Sequence, residues 1–365
     1  MGVDARRREP LRLARGRTLT AATPRGEFQW IDRLVEILGP VASAAGASTA
    51  IGDDVAVLRG PGGETWAWTI DGLVERVHFR FDWMEPEDVG YRALAASLSD
   101  LAAAIAEPLG ALVTVAGAPG AIDAHLEGIY RGIADLAGRT RCPIVGGDLS
   151  RSDGPLHLTV TAIGRCRRDP PGRGGAKPGD ELWVTGRLGA PAAALDLLTR
   201  ADADPARLAD ARAHPSAARL ARPTPRLAES AWLAESASLH ALIDVSDGIS
   251  SDAGHLAERS GVRIALEPAR IPVHPAALDA ARRTGSDPVH GALHGGEEFE
   301  LLFAAPGGAI APLADPFEER FGIPLTRIGA VEPGAGLVRR GSGGDIPLEP
   351  GGWDHFRVAS PGAPR

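Results

Sequence analysis

A chain of 365 residues with 44% hydrophobic and 24% charged content falls in the range of ordinary globular proteins, and its length suggests two domains of moderate size. A formal charge of -8 at pH 7 argues against a broad nucleic-acid surface, because phosphate backbones are held by clustered Lys and Arg. No apolar run approaches the ~20 residues that span a bilayer, no signal-peptide core follows the N-terminus, and Cys142 and Cys166 have neither a CxxC nor a Cys/His spacing, so a soluble, cytoplasmic protein without a disulfide framework or zinc site is expected.

Residues 1–25 carry seven arginines without hydrophobic periodicity and read as a flexible extension, with a solvated tail and a polyanion-binding arm as the two alternatives. From Gly26 the spacing of Phe28, Ile31, Leu34, Val35 and Leu38 predicts a helix that Gly39-Pro40 ends. An apolar segment at Val55–Leu58 precedes a strand over Thr65–Asp71, which puts Trp66, Trp68 and Ile70 on one face and Thr69 and Asp71 on the other. A helix over Pro86–Ala106 has a buried stripe of Leu94, Leu98, Leu101 and Ile105. Asp100 lies off that stripe, on a side lined by Ala93, Ala96, Ser97 and Ala104 where a ligand could approach closely.

A strand over Ala111–Ala116, a helix over Ala121–Ala137 and strands over Pro143–Val145 and Leu156–Ile163 complete the first α/β unit, and Arg167–Gly179 reads as a linker. Beyond it come a strand at Glu181–Thr185, a helix near Pro191, a polar Ala/Arg-rich stretch to His214 and a helix from Pro225. Next are a strand over Leu239–Val245, a helix over Ser250–Ser260 capped by Gly261, and strands over Val262–Leu266 and Glu298–Ala304. The order lacks a strict βαβ rhythm, so the expected class is α+β. The expected domains are 26–166 and 180–356, with an extension over 1–25, a linker over 167–179 and a tail over 357–365.

Lys177 is the only lysine and stands outside any GxxxxGK(S/T) pattern, which excludes a P-loop; a nucleotide would have to be met by metals, arginines and backbone N–H groups. Acidic residues at strand ends or beside glycines supply the means: Asp53 and Asp54 in IGDD, Asp71 in TID, Asp148 in VGGD, Asp244 and Asp247 in IDVSDG, with Asp100 from a helix. Oxygen ligands of this kind suit Mg²⁺, although each Asp beside a Gly also fits a turn residue bonded to its own backbone. Asp252 reads as a first-turn acid facing the helix dipole.

In order, the segments GEFQWIDRL, IGDDVAVL, TIDGLVERVHF, ALAASLSDLAA, PIVGGDLSRS, GGAKPGD, IDVSDGISSDAGHLAERSGV, GGEEFELLF and GGWDHF resemble the thiamine-monophosphate kinase family from Gly26 to Phe356. The wider superfamily holds aminoimidazole ribonucleotide synthetase and selenophosphate synthetase, but the reactive Cys or selenocysteine of the latter has no counterpart near the N-terminal glycine-rich loop. The resemblance implies two α/β domains, an N-terminal mixed sheet that pairs two chains into a barrel, a C-terminal α/β sandwich and a homodimer. It also implies an ATP-dependent phosphorylation of thiamine monophosphate that uses several Mg²⁺ ions. By position it assigns Asp54, Thr69, Ile70 (through its backbone carbonyl), Asp71, Asp100, Asp148, Asp244 and Asp247 to the metals, and Tyr130, Gly147, Asp148, Arg173 and Ser246 to ATP. His78, Glu297 and Trp353 fall to the acceptor. From the residues alone, Tyr130 fits a half-buried helix aromatic equally well, and Arg173 a solvated linker residue. The chain departs from the family pattern at Ile70, at Leu149 after GGD, and in GGEEFE for GGEDYE.

Overall fold

Alternation in the segment from Thr65 makes a strand whose inner residues, Thr65, Ala67, Thr69 and Leu73, are buried while Trp68 and Ile70 face outward. The computed structural model describes residues 26–42, 47–49, 51–341, 343–349, 351–352 and 356; the extension over 1–25, the tail over 357–365 and Trp353 lie outside them. Residues 26–37 and Phe356 belong to one compact unit and residues 38–353 to a second. The chain enters helix α1 (Glu27–Ala42) in the first. This helix does not end at Gly39-Pro40: a proline in the last turn removes a single backbone donor, and the chain stays helical to Ala42.

The first sheet comprises β1 (Ala47–Thr49), β2 (Ala56–Arg59), β3 (Thr65–Val74), β4 (Ala106–Gly117), β5 (Ile144–Arg151) and β6 (His157–Cys166), in the order β1-β2-β3-β6-β4-β5. Its pairs are antiparallel except β4 with β5. Helix α2 (Pro86–Ala103) packs on β3 and β6, and α3 (Pro119–Thr140) packs on α2. Leu94, Leu98 and Leu101 are fully buried, each such burial contributing roughly 1.5–3 kcal/mol. The expected helix end is too late: Ile105, with φ 52°, turns the chain into β4. Nor is the side beside Asp100 open, since Ala93, Ser97 and Ala104 are also buried.

The first sheet covers that side, through Val160 of β6 and Thr69 of β3, and another face of α2 meets a second sheet. This second sheet comprises β7 (Asp180–Thr185), β8 (Ala241–Asp244), β9 (Arg263–Leu266), β10 (Leu301–Pro306), β11 (Leu325–Glu332), β12 (Gly336–Gly341) and β13 (Gly344–Pro347), in the order β13-β12-β9-β11-β7-β10-β8. It is antiparallel except at β9 with β12. Edge strand β8 lies against α2. Between β7 and β8 run α4 (Ala190–Ala201), α5 (Pro205–Ala213), α6 (Pro215–Ala221) and α7 (Leu227–Ser236). The Ala/Arg-rich stretch to His214 thus holds α5, and α6 follows it; each is opened by a proline at its first turn, and they are capped by the side chains of Asp204 and His214. Helix α8 (Ile249–Ser260) ends as expected on Gly261 with φ 64°. Helices α9 (Pro275–Thr284) and α10 (Pro288–His294) precede β10, and α11 (Ala314–Phe321) precedes β11. Two mixed sheets with helices make an α+β fold, as expected.

Candidate functional site

The site forms where the two sheets meet at α2. From the inner face of β3, Thr69 donates a hydrogen bond to Asp100 Oδ2 on α2, and Asp71 is bonded to Ser97 and Asp100. One residue before Asp100, Ser99 points toward the other sheet and donates to Asp244 Oδ2 at 2.5 Å, at the end of β8. Asp54, just before β2, completes the group. One carboxylate oxygen from each of Asp54, Asp100 and Asp244 lies within 4.8 Å of the other two.

Burial dominates the electrostatics. It holds Asp100 well above the usual carboxylate range, with repulsion from Asp71, Asp244 and Asp54 adding to it. Asp54 is pushed up to about 7 by burial against the pull of Arg173, and Asp244 to about 6 by burial despite the Ser99 hydrogen bond. Burial also raises Asp71, with Glu297 adding repulsion, and Asp71 Oδ2 is buried without a hydrogen-bond partner. Converging oxygens that resist ionisation, and an orphaned carboxylate oxygen among them, are the donor set a hard divalent cation satisfies. Asp54, Thr69, Asp71, Asp100 and Asp244 therefore fit Mg²⁺.

The loop between β8 and α8 borders this group. Asp247 there adds repulsion to Asp244 and Asp252. Asp252, expected to face the dipole of α8, accepts from the Gly248 N–H at 3.0 Å, but it is buried, and burial holds it well above the usual carboxylate range. Ser246 lies half-buried in this loop, and its carbonyl accepts from the Glu297 N–H at 2.7 Å. Gly296 is required there, since a Cβ would run into the Ser246 carbonyl oxygen. Arg173, far from being a solvated linker residue, donates from Nε at 3.1 Å and Nη2 at 2.5 Å to Asp54 Oδ1, and its side chain is 20% exposed.

Other expected members are not brought to this group within the chain. Along the first sheet Gly72, Thr159, Thr114 and Asp148 are directly paired across strands, as are Asp71, Val160, Val113 and Gly147. Directly paired residues share a face, so Asp148 points to the face opposite Asp71, the one that carries Ile70. There it accepts from Ser150 at 2.6 Å. A Cβ on Gly147 would collide with the Val113 carbonyl, so close strand packing alone demands that glycine. Tyr130 packs half-buried against the first core. His78 Nδ1 accepts from the Val74 N–H at 3.0 Å in the turn after β3. Ser99 and Arg92 escaped the sequence reading: Ser99 is signalled by nothing but its partner on the other sheet, and Arg92 looks like an ordinary helical cation. Cys142 and Cys166 are buried free thiols raised to about 11 by burial, so neither is a reactive thiolate.

The family AIR synthase related protein, N-terminal domain, matches residues 52–166, which hold β2 to β6 with α2 and α3. The chain is 32% identical to the thiamine-monophosphate kinase of Aquifex aeolicus over 91% of its length and 98% of that protein. It is 35% identical to that of Rhodopirellula baltica over 80% of its length and 86% of that protein. Among solved structures, AaThiL complexed with AMPPCP and TMP superposes with a TM-score of 0.77 at 32% identity, covering 91% of this chain and 97% of that one. The chain belongs to the thiamine-monophosphate kinase family. The likeness to E. coli HypE, a hydrogenase maturation protein, with a TM-score of 0.64 at 20% identity, is one of fold.

Proposed function

We propose that this protein transfers the γ-phosphoryl group of ATP directly to the phosphate of thiamine monophosphate, making thiamine diphosphate. The observation that carries the reading is the convergence of Asp54, Asp100 and Asp244 from separate elements, with Asp71 hydrogen-bonded to Asp100. Relatives of the same name, and a neighbour solved with a nucleotide analogue and TMP, support it. Bound Mg²⁺ ions supply the charge that lets two anionic substrates approach. Asp54, Thr69, Asp71, Asp100 and Asp244 would hold them, with Asp247, Asp148 and the Ile70 carbonyl as further ligands. ATP phosphates fit the N-terminal end of α8 beside Ser246, where backbone N–H groups and the helix dipole favour anions. Arg173 already stands at Asp54 to meet them, and Gly147 and Tyr130 belong to the same nucleotide. His78, Glu297 and Trp353 serve the acceptor. The acceptor phosphate oxygen is ionised at neutral pH, so the protein needs to align and neutralise rather than abstract a proton.

A homodimer through the first sheet belongs to this reading. Trp68, Ile70 and Leu112 are 44%, 67% and 47% exposed on the face that α2 leaves uncovered, and a second copy would cover them and meet Asp148. We also place the enzyme in the cytoplasm, where ATP is available; among the described residues no helix is long and apolar enough to cross a membrane. The functional test is turnover of MgATP with thiamine monophosphate, followed by chromatography of the thiamine esters, with formylglycinamidine ribonucleotide offered in parallel. Thiamine diphosphate should accumulate with ADP in equal amounts. Consumption of the ribonucleotide in its place would overturn the assignment.

A further inference from the structure

Arg92 is 2% exposed on α2, and no acidic motif in the sequence points to it. Its Nη1 donates to the Leu220 carbonyl in the last turn of α6 at 2.5 Å, and its Nη2 lies 2.5 Å from Glu297 Oε2. One guanidinium thus ties together α2, α6 and the loop that leads into β10. That loop is strained: Glu297 has φ 69° and Phe299 φ 52°, a left-handed region that side-chain-bearing residues seldom adopt. Such a conformation persists only where its surroundings hold it. The Glu297 and Phe299 N–H groups donate to the Ser246 and Val245 carbonyls at 2.7 and 2.9 Å, pinning the loop along the chain that carries Asp244 and Asp247. The Glu297 carboxylate is near enough to repel Asp71.

We propose that Arg92 is a positioning residue for the acceptor: it fixes the Glu297 carboxylate beside the metal-binding acids, through Oε2, while the side chain stays 29% exposed to a ligand. This rests on the reading of Glu297 as an acceptor residue. Without a cation at that point, repulsion from Asp71 would turn the Glu297 carboxylate away. Fixed there, it suits an acceptor that carries a positive thiazolium ring and an aminopyrimidine, and it does not suit the anionic nucleotide. Arg92 itself is too buried to touch either substrate. Its guanidinium, with donors in a rigid fork, serves Leu220 and Glu297 at once.

The test compares Glu297→Gln, Arg92→Met, Arg92→Lys and the double variant Arg92→Met/Glu297→Gln, with KM measured separately for thiamine monophosphate and ATP and melting followed in parallel. Glu297→Gln and Arg92→Met should each raise KM for thiamine monophosphate about ten-fold, a change that corresponds to about 1.4 kcal/mol, while KM for ATP stays within about two-fold. Arg92→Lys, which keeps the charge, should recover part of the loss. The double variant leaves no orphaned charge behind, so it tests the link even if Arg92→Met does not fold, and it should bind thiamine monophosphate no worse than Glu297→Gln alone. An unchanged KM in Glu297→Gln would remove Glu297 from the acceptor side and the inference with it. A normal response in Glu297→Gln, but a further rise in the double variant or an equal rise for ATP, would overturn the positioning role alone.

Discussion

Replacing Asp100 by Asn should stabilise the metal-free protein and abolish its response to Mg²⁺. Asparagine keeps the shape and can still accept from Thr69, but it removes the charge that faces Asp54, Asp71 and Asp244. Two unit charges at 4.8 Å, the outer separation within the Asp54, Asp100 and Asp244 group, repel by roughly 3 kcal/mol at an effective dielectric of about 20. The wild type escapes most of this by retaining protons, so a net gain near 2 kcal/mol at pH 8, or roughly 3 °C in melting temperature, is the expected scale. The sign follows from linkage. A carboxyl raised on folding binds more protons in the folded than in the unfolded chain, so its stabilising contribution is present at low pH and is lost as pH rises from about 3.9 through the folded value. The variant's advantage should therefore be near zero at the acid end and largest at pH 8. Scanning fluorimetry in EDTA at both pH values, repeated with Mg²⁺, measures it. A variant that melts with or below the wild type at pH 8 in EDTA, or that keeps the full Mg²⁺ shift, would refute the picture of a cluster held by mutual repulsion.

Asp71→Asn, which removes the same repulsion from its other side, should also raise the melting temperature in EDTA at pH 8 and lower kcat by at least about 100-fold, the scale for losing one preorganised electrostatic group; scanning fluorimetry and steady-state turnover with saturating MgATP check it. Gly296→Ala should do the reverse in part, lowering both melting temperature and turnover, because the added methyl must push the loop off Ser246. A shift of about 1 Å at such a loop can cost about 100-fold in rate, and wild-type kinetics in this variant would show that the loop does not border the reacting groups.

Chemical identity and local conformation were legible along the chain. The leucine spacing in α2 follows from helix geometry alone, as do the alternation in β3 and the glycine that ends α8. Acids at strand ends and beside glycines offer the oxygen ligands that divalent cations take. Even there, local pattern had limits: Gly39-Pro40 reads as a stop yet lies within α1, and the polar Ala/Arg-rich stretch to His214 holds helix α5, because its cap and its packing on α4 outweigh weak periodicity.

Register and long-range packing were decided by the tertiary structure alone. The face on which Asp148 sits depends on how β5 pairs with β4 and β4 with β6, since a shift by one residue would carry it to the side of Asp71. Ser99 and Asp100 are neighbours in sequence but serve opposite sheets, because a helix turns by about 100° per residue and α2 is buried on both sides. The pairs Arg173 with Asp54 and Arg92 with Glu297 span 119 residues and more of chain. No local propensity encodes such contacts. They exist because a buried charge must find its partner wherever the two sheets bring one within reach.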